Sequence, residues 1–448
     1  MPVTLSIDDL GVGGEGIGRF NGLTVFVPGA LPQDRVEIDL VEQKKHYAYG
    51  RTLRTVAASP LRTVPRCLIT DRCGGCQIQG LDYRAQLLWK QKKVQDSFKH
   101  VAKLNPLVLA TLGMGNPYGY RNKAQFVVGH RGHQIETGFY ALASHSVVDT
   151  DHCPVQDPLI NQALLAIRKF LRLHPVSIYN EARHQGLLRH ILIRCGLRTQ
   201  QLMVCLVING SQIPNGAAWV QDLKRIPQIK SIGLNINTRR GSVILGPQTK
   251  ILWGQDYIED TLGQFTFRIS PLSFYQINPV QTEVLYQKAV EFAELTGREQ
   301  VWDLYCGVGA LTLFLAQRAR HVCGIDETSA AVADAKANAR RNRIGNVEFF
   351  CGKVEYRLPR ILKQNRQRMD VIVLDPPRKG CEAGVLRAAA AMEPQRMVYV
   401  SCDPSTLARD AAVLAQLGYG LRMVQPIDMF PHTIHVECVA LLEPSPGA

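Results

Sequence analysis

The stretch VWDLYCGVGALTLFLA, residues 301–316, decides the fold. A short apolar strand ends at Asp303 and Leu304, runs into Gly307-x-Gly309, and passes at once into an apolar helical run. Glycines at such a turn let a ligand approach the backbone closely, with the positive end of a helix behind them. HVCGID, residues 321–326, follows as a second strand closed by an acid. An acid about 20 positions past a glycine loop is placed to bond two ribose hydroxyls. The unit is expected to hold a nucleoside in a Rossmann-like α/β sheet; the competing reading is a structural β–α turn. The loop lacks the third glycine of the pyrophosphate fingerprint, which points towards S-adenosylmethionine, a cofactor without phosphate.

Towards the C-terminus the β-α-β rhythm continues. MDVIVLDPPRKG (369–380) is an apolar strand ending at Asp375, and RMVYVSCDPSTLARD (396–410) is another, ending at Ser401-Cys402-Asp403-Pro404 before a helix. Ligands of open parallel sheets bind beyond the carboxyl ends of the strands. A lone cysteine is usually a small buried hydrophobe, but Cys402 shares its sheet edge with the glycine loop and Asp375. The following helix dipole is expected to favour its thiolate. In FPHTIHVECVALL (430–442) a carboxylate, Glu437, interrupts an apolar strand, a costly placement unless the group is paired or used. Burial would raise its pKa and suit it to proton abstraction near neutral pH. These parts fit one reaction. A thiolate adding to carbon 6 of a pyrimidine makes carbon 5 nucleophilic, and a base must then remove the carbon-5 proton before the sulfur leaves.

Towards the N-terminus, residues 1–60 alternate apolar and polar positions between glycine-rich turns, the pattern of a small β-barrel. Lys44, Lys45, Arg51 and Arg54 are expected to make its far end basic. Gly11-x-Gly13-x-x-Gly16 matches a dinucleotide fingerprint, yet another strand follows it and no helix, so it is read as a turn. Residues 59–80 bear Cys67, Cys73 and Cys76, with Cys153 later; four such thiols make a site for zinc or an iron–sulfur cluster. The C-x3-C-x2-C spacing of radical S-adenosylmethionine enzymes is absent. From about 118 to 268, short strands alternate with apolar helical stretches, a middle α/β domain. The 448 residues exceed one usual core, and the net charge of +14 favours a polyanion, nucleic acid first. No stretch approaches the roughly 18 apolar residues of a membrane span, and MPVTLSIDDLG has no secretory features. A cytoplasmic location is expected, where the 12 cysteines would stay reduced.

The chain strongly resembles the RNA uracil-C5 methyltransferases, the ribosomal and transfer RNA 5-methyluridine enzymes. The likeness runs nearly end to end, through the four cysteines, YRNKAQF (120–126), SFYQIN (273–278), DLYCGVG, LDPPRKG, SCDP and HVE. It implies an OB-like TRAM barrel at 1–60 that binds RNA, a small central α/β domain at 61–268 with a 4Fe-4S cluster on Cys67, Cys73, Cys76 and Cys153, and a Rossmann-like S-adenosylmethionine methyltransferase domain at 269–448. It implies Cys402 as nucleophile and Glu437 as base. Cofactor contacts would fall to Gln276, Tyr305, Ala310, Asp326 and Asp375, with Asp375 between cofactor and base. Ala310 stands where some members have Asn, which leaves only a backbone contact there. The helix after Cys76 is expected to dock on the catalytic domain. The barrel together with the cluster resembles the ribosomal enzymes, so 23S rRNA is the favoured substrate and the T-loop of tRNA the alternative. The target base would be flipped from its stack. No membrane and no stable protein partner is expected. The rival readings are a methylase acting on an exocyclic amine and a non-catalytic RNA-binding iron–sulfur protein.

Overall fold

The computed structural model describes residues 2–132, 134–364 and 369–445. Strands β1 (Val3–Leu10), β2 (Gly16–Phe20), β3 (Leu23–Val27), β4 (Arg35–Gln43) and β5 (Tyr47–Ala57) close into a barrel in the order β1-β2-β3-β5-β4. Period-two alternation sends Leu5, Ile7, Val25, Val27, Val36, Ile38 and Ala48 inward. The glycines at 11, 13 and 14 form the β1–β2 turn, where the Gly13 N–H donates to the Glu15 carboxylate at 3.1 Å.

A loop bearing three of the cysteines leads to α1 (Tyr83–Ser97), whose N-cap Asp82 accepts from the N–H groups of Arg84 and Ala85. After a π turn at Phe98–Ala102 comes β6 (Leu107–Val108). The middle sheet comprises β7 (Lys123–Arg131), β8 (Gln134–Tyr140), β9 (Val147–Asp149), β10 (Leu188–Cys195), β11 (Leu202–Ile208), β12 (Ile229–Ile236) and β13 (Gln248–Gly254), in the order β13-β12-β11-β10-β7-β8-β9. Helices α2 (Pro158–Leu173) and α3 (Gly216–Leu223) cover one face through Leu164, Ile167 and Trp219.

The last body starts with a hairpin, β14 (Ile258–Leu262) and β15 (Phe265–Ile269), and α4 (Pro279–Ala293). Then come β16 (Gln300–Leu304), α5 (Ala310–Ala316), β17 (His321–Asp326), α6 (Ser329–Arg341), β18 (Val347–Cys351), α7 (Val354–Gln364), β19 (Val371–Leu374), α8 (Ala383–Ala391), β20 (Arg396–Ser401), α9 (Pro404–Gln416), β21 (Tyr419–Ile427) and β22 (Glu437–Pro444). The sheet order is β18-β17-β16-β19-β20-β22-β21-β6, with β22 antiparallel to both its neighbours. Strand order reverses between β16 and β19, the switch point at which open α/β sheets bind ligands.

The expected boundaries at 61 and 268 do not follow these sheets. β6 pairs with β21 and covers what would be an open edge. Val94 and Phe98, from α1 and the π turn, join the core of the last body with Val108. Lys90 of α1 forms a fully buried ion pair with Asp428, which also accepts from the Tyr83 hydroxyl at 2.8 Å. The β14–β15 hairpin likewise buries Ile258, Phe265, Phe267 and Ile269 in the core of the last body. Residues 61–268 thus surrender a segment at each end to the last body. Among the described residues no helix is long and apolar enough to cross a membrane.

Candidate active site

Backbone register brings the two chemically interesting residues together. β20 and β22 run antiparallel with Ser401 opposite Cys438, so the next step along each strand sets Cys402 opposite Glu437. Asp375 follows β19, the other neighbour of β20, and its N–H donates to the Leu304 carbonyl at 3.2 Å. Cys402 follows β20 directly, one residue before Asp403, whose side chain caps α9. Three strand ends therefore converge on one corner, as the parallel-sheet reading required.

The electrostatics of this corner depart from one expectation. Burial, with the Glu437 and Asp375 carboxylates adding to it, pushes the Cys402 thiol up to about 11. The helix dipole does not make a resting thiolate, because desolvation and two nearby acids outweigh it. Glu437 is itself pushed up to about 7 by burial, with Arg378 opposing. Asp375 is pushed up to about 8, by burial and by Glu437. Two buried acids raised towards neutrality beside a thiol are suited to acid–base chemistry. His435, kept down at about 4 by burial and nearby cations, stays neutral. His432 is turned away: it adopts a positive φ of 69°, lies 3.3 Å from the Gln86 amide and stacks on Tyr118.

The glycine loop builds the adjoining pocket. Gly307 and Gly309 have φ of 54° and 78°, and Gly309 caps α5, whose first residue is Ala310. Asp326, at the end of β17, accepts from the Gly307 N–H at 3.0 Å and the Thr328 N–H at 2.8 Å. Each carboxylate oxygen keeps a lone pair for a ligand hydroxyl. Tyr305 holds a strained φ of 68° and donates to Glu355 at 3.1 Å. Such strain concentrates at ligand sites. Gln276 lies on the loop before α4, where its carbonyl accepts from Asn122 of the middle domain at 2.9 Å.

Cys67, Cys73, Cys76 and Cys153 line one cavity of about 400 Å3. Arg378, Thr433 and His435 line it too, so the thiol cavity adjoins the Cys402 corner. Burial and the neighbouring thiols push Cys76 up to about 12, and burial raises Cys153 to about 11. Asn161 of α2 clamps Cys153 by bonding both its N–H and its carbonyl, at 2.9 and 3.1 Å. Thiols this costly to ionise alone suit a cationic centre that would hold them as thiolates. Among the described residues, the grouping with three ligand atoms all within 4.8 Å of one another is a different one, His321, Cys323 and Glu348 on β17 and β18.

The family model for tRNA (uracil-5-)-methyltransferase matches residues 82–445, and that for the TRAM domain matches residues 3–53. The chain belongs to the tRNA (uracil-5-)-methyltransferase family. It is 45% identical over 443 residues to an uncharacterized RNA methyltransferase of Halalkalibacterium halodurans, covering 98% of this chain and 96% of that one. It is 44% identical over 440 residues to another of Caldanaerobacter subterraneus, covering 98% and 97%. Its fold matches the Pyrococcus abyssi tRNA (uracil-54, C5)-methyltransferase in complex with S-adenosyl-L-homocysteine, with a TM-score of 0.79 at 28% identity over 99% of this chain and 100% of that one. The protein is an S-adenosylmethionine-dependent RNA methyltransferase with an N-terminal TRAM barrel.

In this uracil-5-methyltransferase the positive charge is not where the sequence reading put it. Arg51, Arg54 and Lys44 of the barrel pair with Asp39, Glu37 and Glu42. Residues 1–60 carry six Lys and Arg against seven Asp and Glu, whereas residues 61–268 carry 26 against 12. Part of that surplus faces the thiol cavity, where burial, Arg194 and Arg121 push Lys123 down to about 8. Two residues of the corner had no assigned role in the sequence reading. Arg378 is the cation that acts on both Cys402 and Glu437. Tyr286 of α4 is buried, and the Asp375 and Glu437 carboxylates add to the burial that pushes its hydroxyl up. Arg378 sits in the quoted LDPPRKG motif and was findable there; Tyr286 is one apolar-face residue among many on α4.

Proposed function

We propose that this enzyme methylates carbon 5 of a uridine in RNA through a covalent bond between Cys402 and carbon 6. Glu437 takes the carbon-5 proton in the elimination step. The observation that carries the reading is the β20–β22 register, which sets the thiol opposite the one carboxylate of β22's apolar run. S-adenosylmethionine, when bound, supplies the electrophilic methyl group. Asp326 would bond its ribose, the Gly307–Ala310 backbone would receive its nucleoside, and Gln276, Tyr305 and Asp375 would complete the pocket. Arg378 opposes the two acids at the thiol and eases its ionisation. The flipped uracil would enter between the middle and catalytic bodies.

Large-subunit ribosomal RNA is the favoured substrate, on the breadth of the basic middle domain and the extra barrel, since phosphate contacts fix position on a large fold without reading sequence. The end-to-end likeness to a tRNA (uracil-54, C5)-methyltransferase favours the second reading, a uridine in tRNA. Purified protein supplied with protein-free 23S rRNA and, separately, unmodified tRNA should place 5-methyluridine at one position of the ribosomal RNA. Efficient methylation of tRNA alone would overturn the ribosomal choice and leave the chemistry standing.

The four cavity cysteines are proposed to hold a 4Fe-4S cluster. In support, all four line one cavity, and the family resemblance implies a cluster there. Anaerobically purified protein should be brown, with iron and acid-labile sulfide each near four per chain, roughly the cubane stoichiometry. Stoichiometric zinc in colourless, active protein would sink the assignment.

A further inference from the structure

The barrel has little net charge with which to hold phosphates, yet it displays aromatic rings. On the parallel pair β3 and β5, Val25, Val27 and Ala48 point inward, and the residues between them, Phe26, Tyr47 and Tyr49, point outward. The three rings form one patch, with centroids 5.7 to 5.9 Å apart. Tyr47 is 37% exposed, and Phe26 and Tyr49 beside it are half-buried. A contiguous aromatic cluster on the outer face of a barrel is the kind of surface that takes an occupant.

Its position narrows what the occupant is. Under the patch runs the β1–β2 turn: a Cβ on Gly11 would sit 3.6 Å from the Phe26 ring. Three residues on, a Cβ on Gly14 would come within 3.0 Å of both Gln77 and Ile434, and Ile434 lies three residues ahead of Glu437. The patch therefore stands beside the approach to the catalytic strand. Lys45 and His46, which no acid engages among the described residues, adjoin Tyr47 in sequence.

We propose that Phe26, Tyr47 and Tyr49 form a stacking site for unpaired bases of the substrate RNA that flank the flipped uridine. This rests on the RNA-methyltransferase reading above and adds the mode of grip. Every nucleobase has a π-face, so rings on a closed five-stranded barrel hold single strands without reading sequence and with little help from charge. The middle domain supplies the phosphate contacts and the barrel supplies the stacking. A protein partner on the same patch is the competing occupant.

The test uses full-length protein and two probes, a single-stranded oligouridylate of about 12 nucleotides, within the span of one such barrel, and an RNA duplex of the same length. The Tyr47→Ala/Tyr49→Ala variant should bind the single strand about tenfold or more weaker. Its slope of log affinity against log salt should match that of the parent, because no phosphate contact is lost. Tyr47→Phe/Tyr49→Phe should bind like the parent, since the rings and not the hydroxyls do the holding. In Tyr47→Trp, the indole fluorescence should be quenched by the single strand and not by the duplex. Unchanged single-strand affinity in the alanine variant, equal losses for strand and duplex, or an unquenched indole would each overturn the proposal. Failure of the parent to methylate RNA would instead count against the reading beneath it.

Discussion

Cys402→Ala is expected to abolish 5-methyluridine formation, with a loss on the order of 10^4-fold or more, as for other covalent nucleophiles. Cofactor affinity should stay near that of the parent, because Cys402, the proposed nucleophile, follows β20, whereas the glycine loop and Asp326 of the proposed cofactor pocket lie at the ends of β16 and β17. The thiol, pushed up to about 11, is almost wholly protonated at neutral pH. Its activation therefore belongs to the substrate complex and not to the resting enzyme. RNA carrying 5-fluorouridine at the target gives a direct reading. A thiol attack followed by methyl transfer leaves no carbon-5 proton to remove, so a methylated covalent adduct should persist through denaturing electrophoresis. A parent enzyme that consumes this RNA without adduct, or an alanine variant that still methylates, would refute the thiol mechanism.

Glu437→Gln should separate the steps. Thiol addition and methyl transfer should survive, while elimination slows by about 10^2- to 10^4-fold, the usual contribution of a placed general base. Enzyme–RNA adduct should then build up even with ordinary uridine. A variant that turns over normally would make Glu437 structural. The pH dependence has opposite signs for activity and stability. With Glu437 pushed up to about 7, the basic form grows as pH rises through neutrality, and elimination should quicken with it. A carboxyl raised in the folded state favours folding below its unfolded pKa of about 4.3 and loses that contribution as pH rises. Asp375, pushed up to about 8, acts the same way. Urea unfolding of the cofactor-free protein should show stability falling between about pH 5 and pH 8, and Glu437→Gln should flatten that fall.

What the sequence made legible was local. The glycine loop, the acids at strand ends and the cysteine before a helix each announce themselves within a dozen residues, because strand ends and helix starts carry fixed residue requirements. Glu437 was legible for a related reason: a charge amid apolar residues needs an explanation, although it opens β22 where the sequence pattern had it interrupting a strand. The misreadings were all matters of long-range context. Four basic residues in the barrel looked like a patch, yet β4 sets Glu37 and Asp39 directly across from Arg54 and Arg51, and only the register reveals the cancellation. The dipole argument for Cys402 was sound physics applied without the burial that outweighs it. The two-residue β6 has no periodicity to detect, and the hairpin at 258–269 belongs to a core whose other members come later in the chain.

That short strand has a consequence for how the protein is made. Leu107 and Val108 pair with Met423 and Val424, so β6 leaves the ribosome roughly 300 residues before its partner, a wait of some tens of seconds at about 5–20 residues per second. Over that interval α1 has only half its neighbours. Trp89 can already pack with Leu10, Leu31, Ile78 and Leu81, but the side bearing Val94 and Phe98 awaits the catalytic core. One side of this helix thus has its partners encoded early in the chain and the other side has them encoded late. A fragment beginning at residue 256, which keeps the β14–β15 hairpin, would retain the proposed nucleophile, base and cofactor loop and still expose an unpaired strand and a bare apolar face. Supplying residues 83–112 as a separate peptide should rescue its solubility, because the missing piece is an edge and not a reactant.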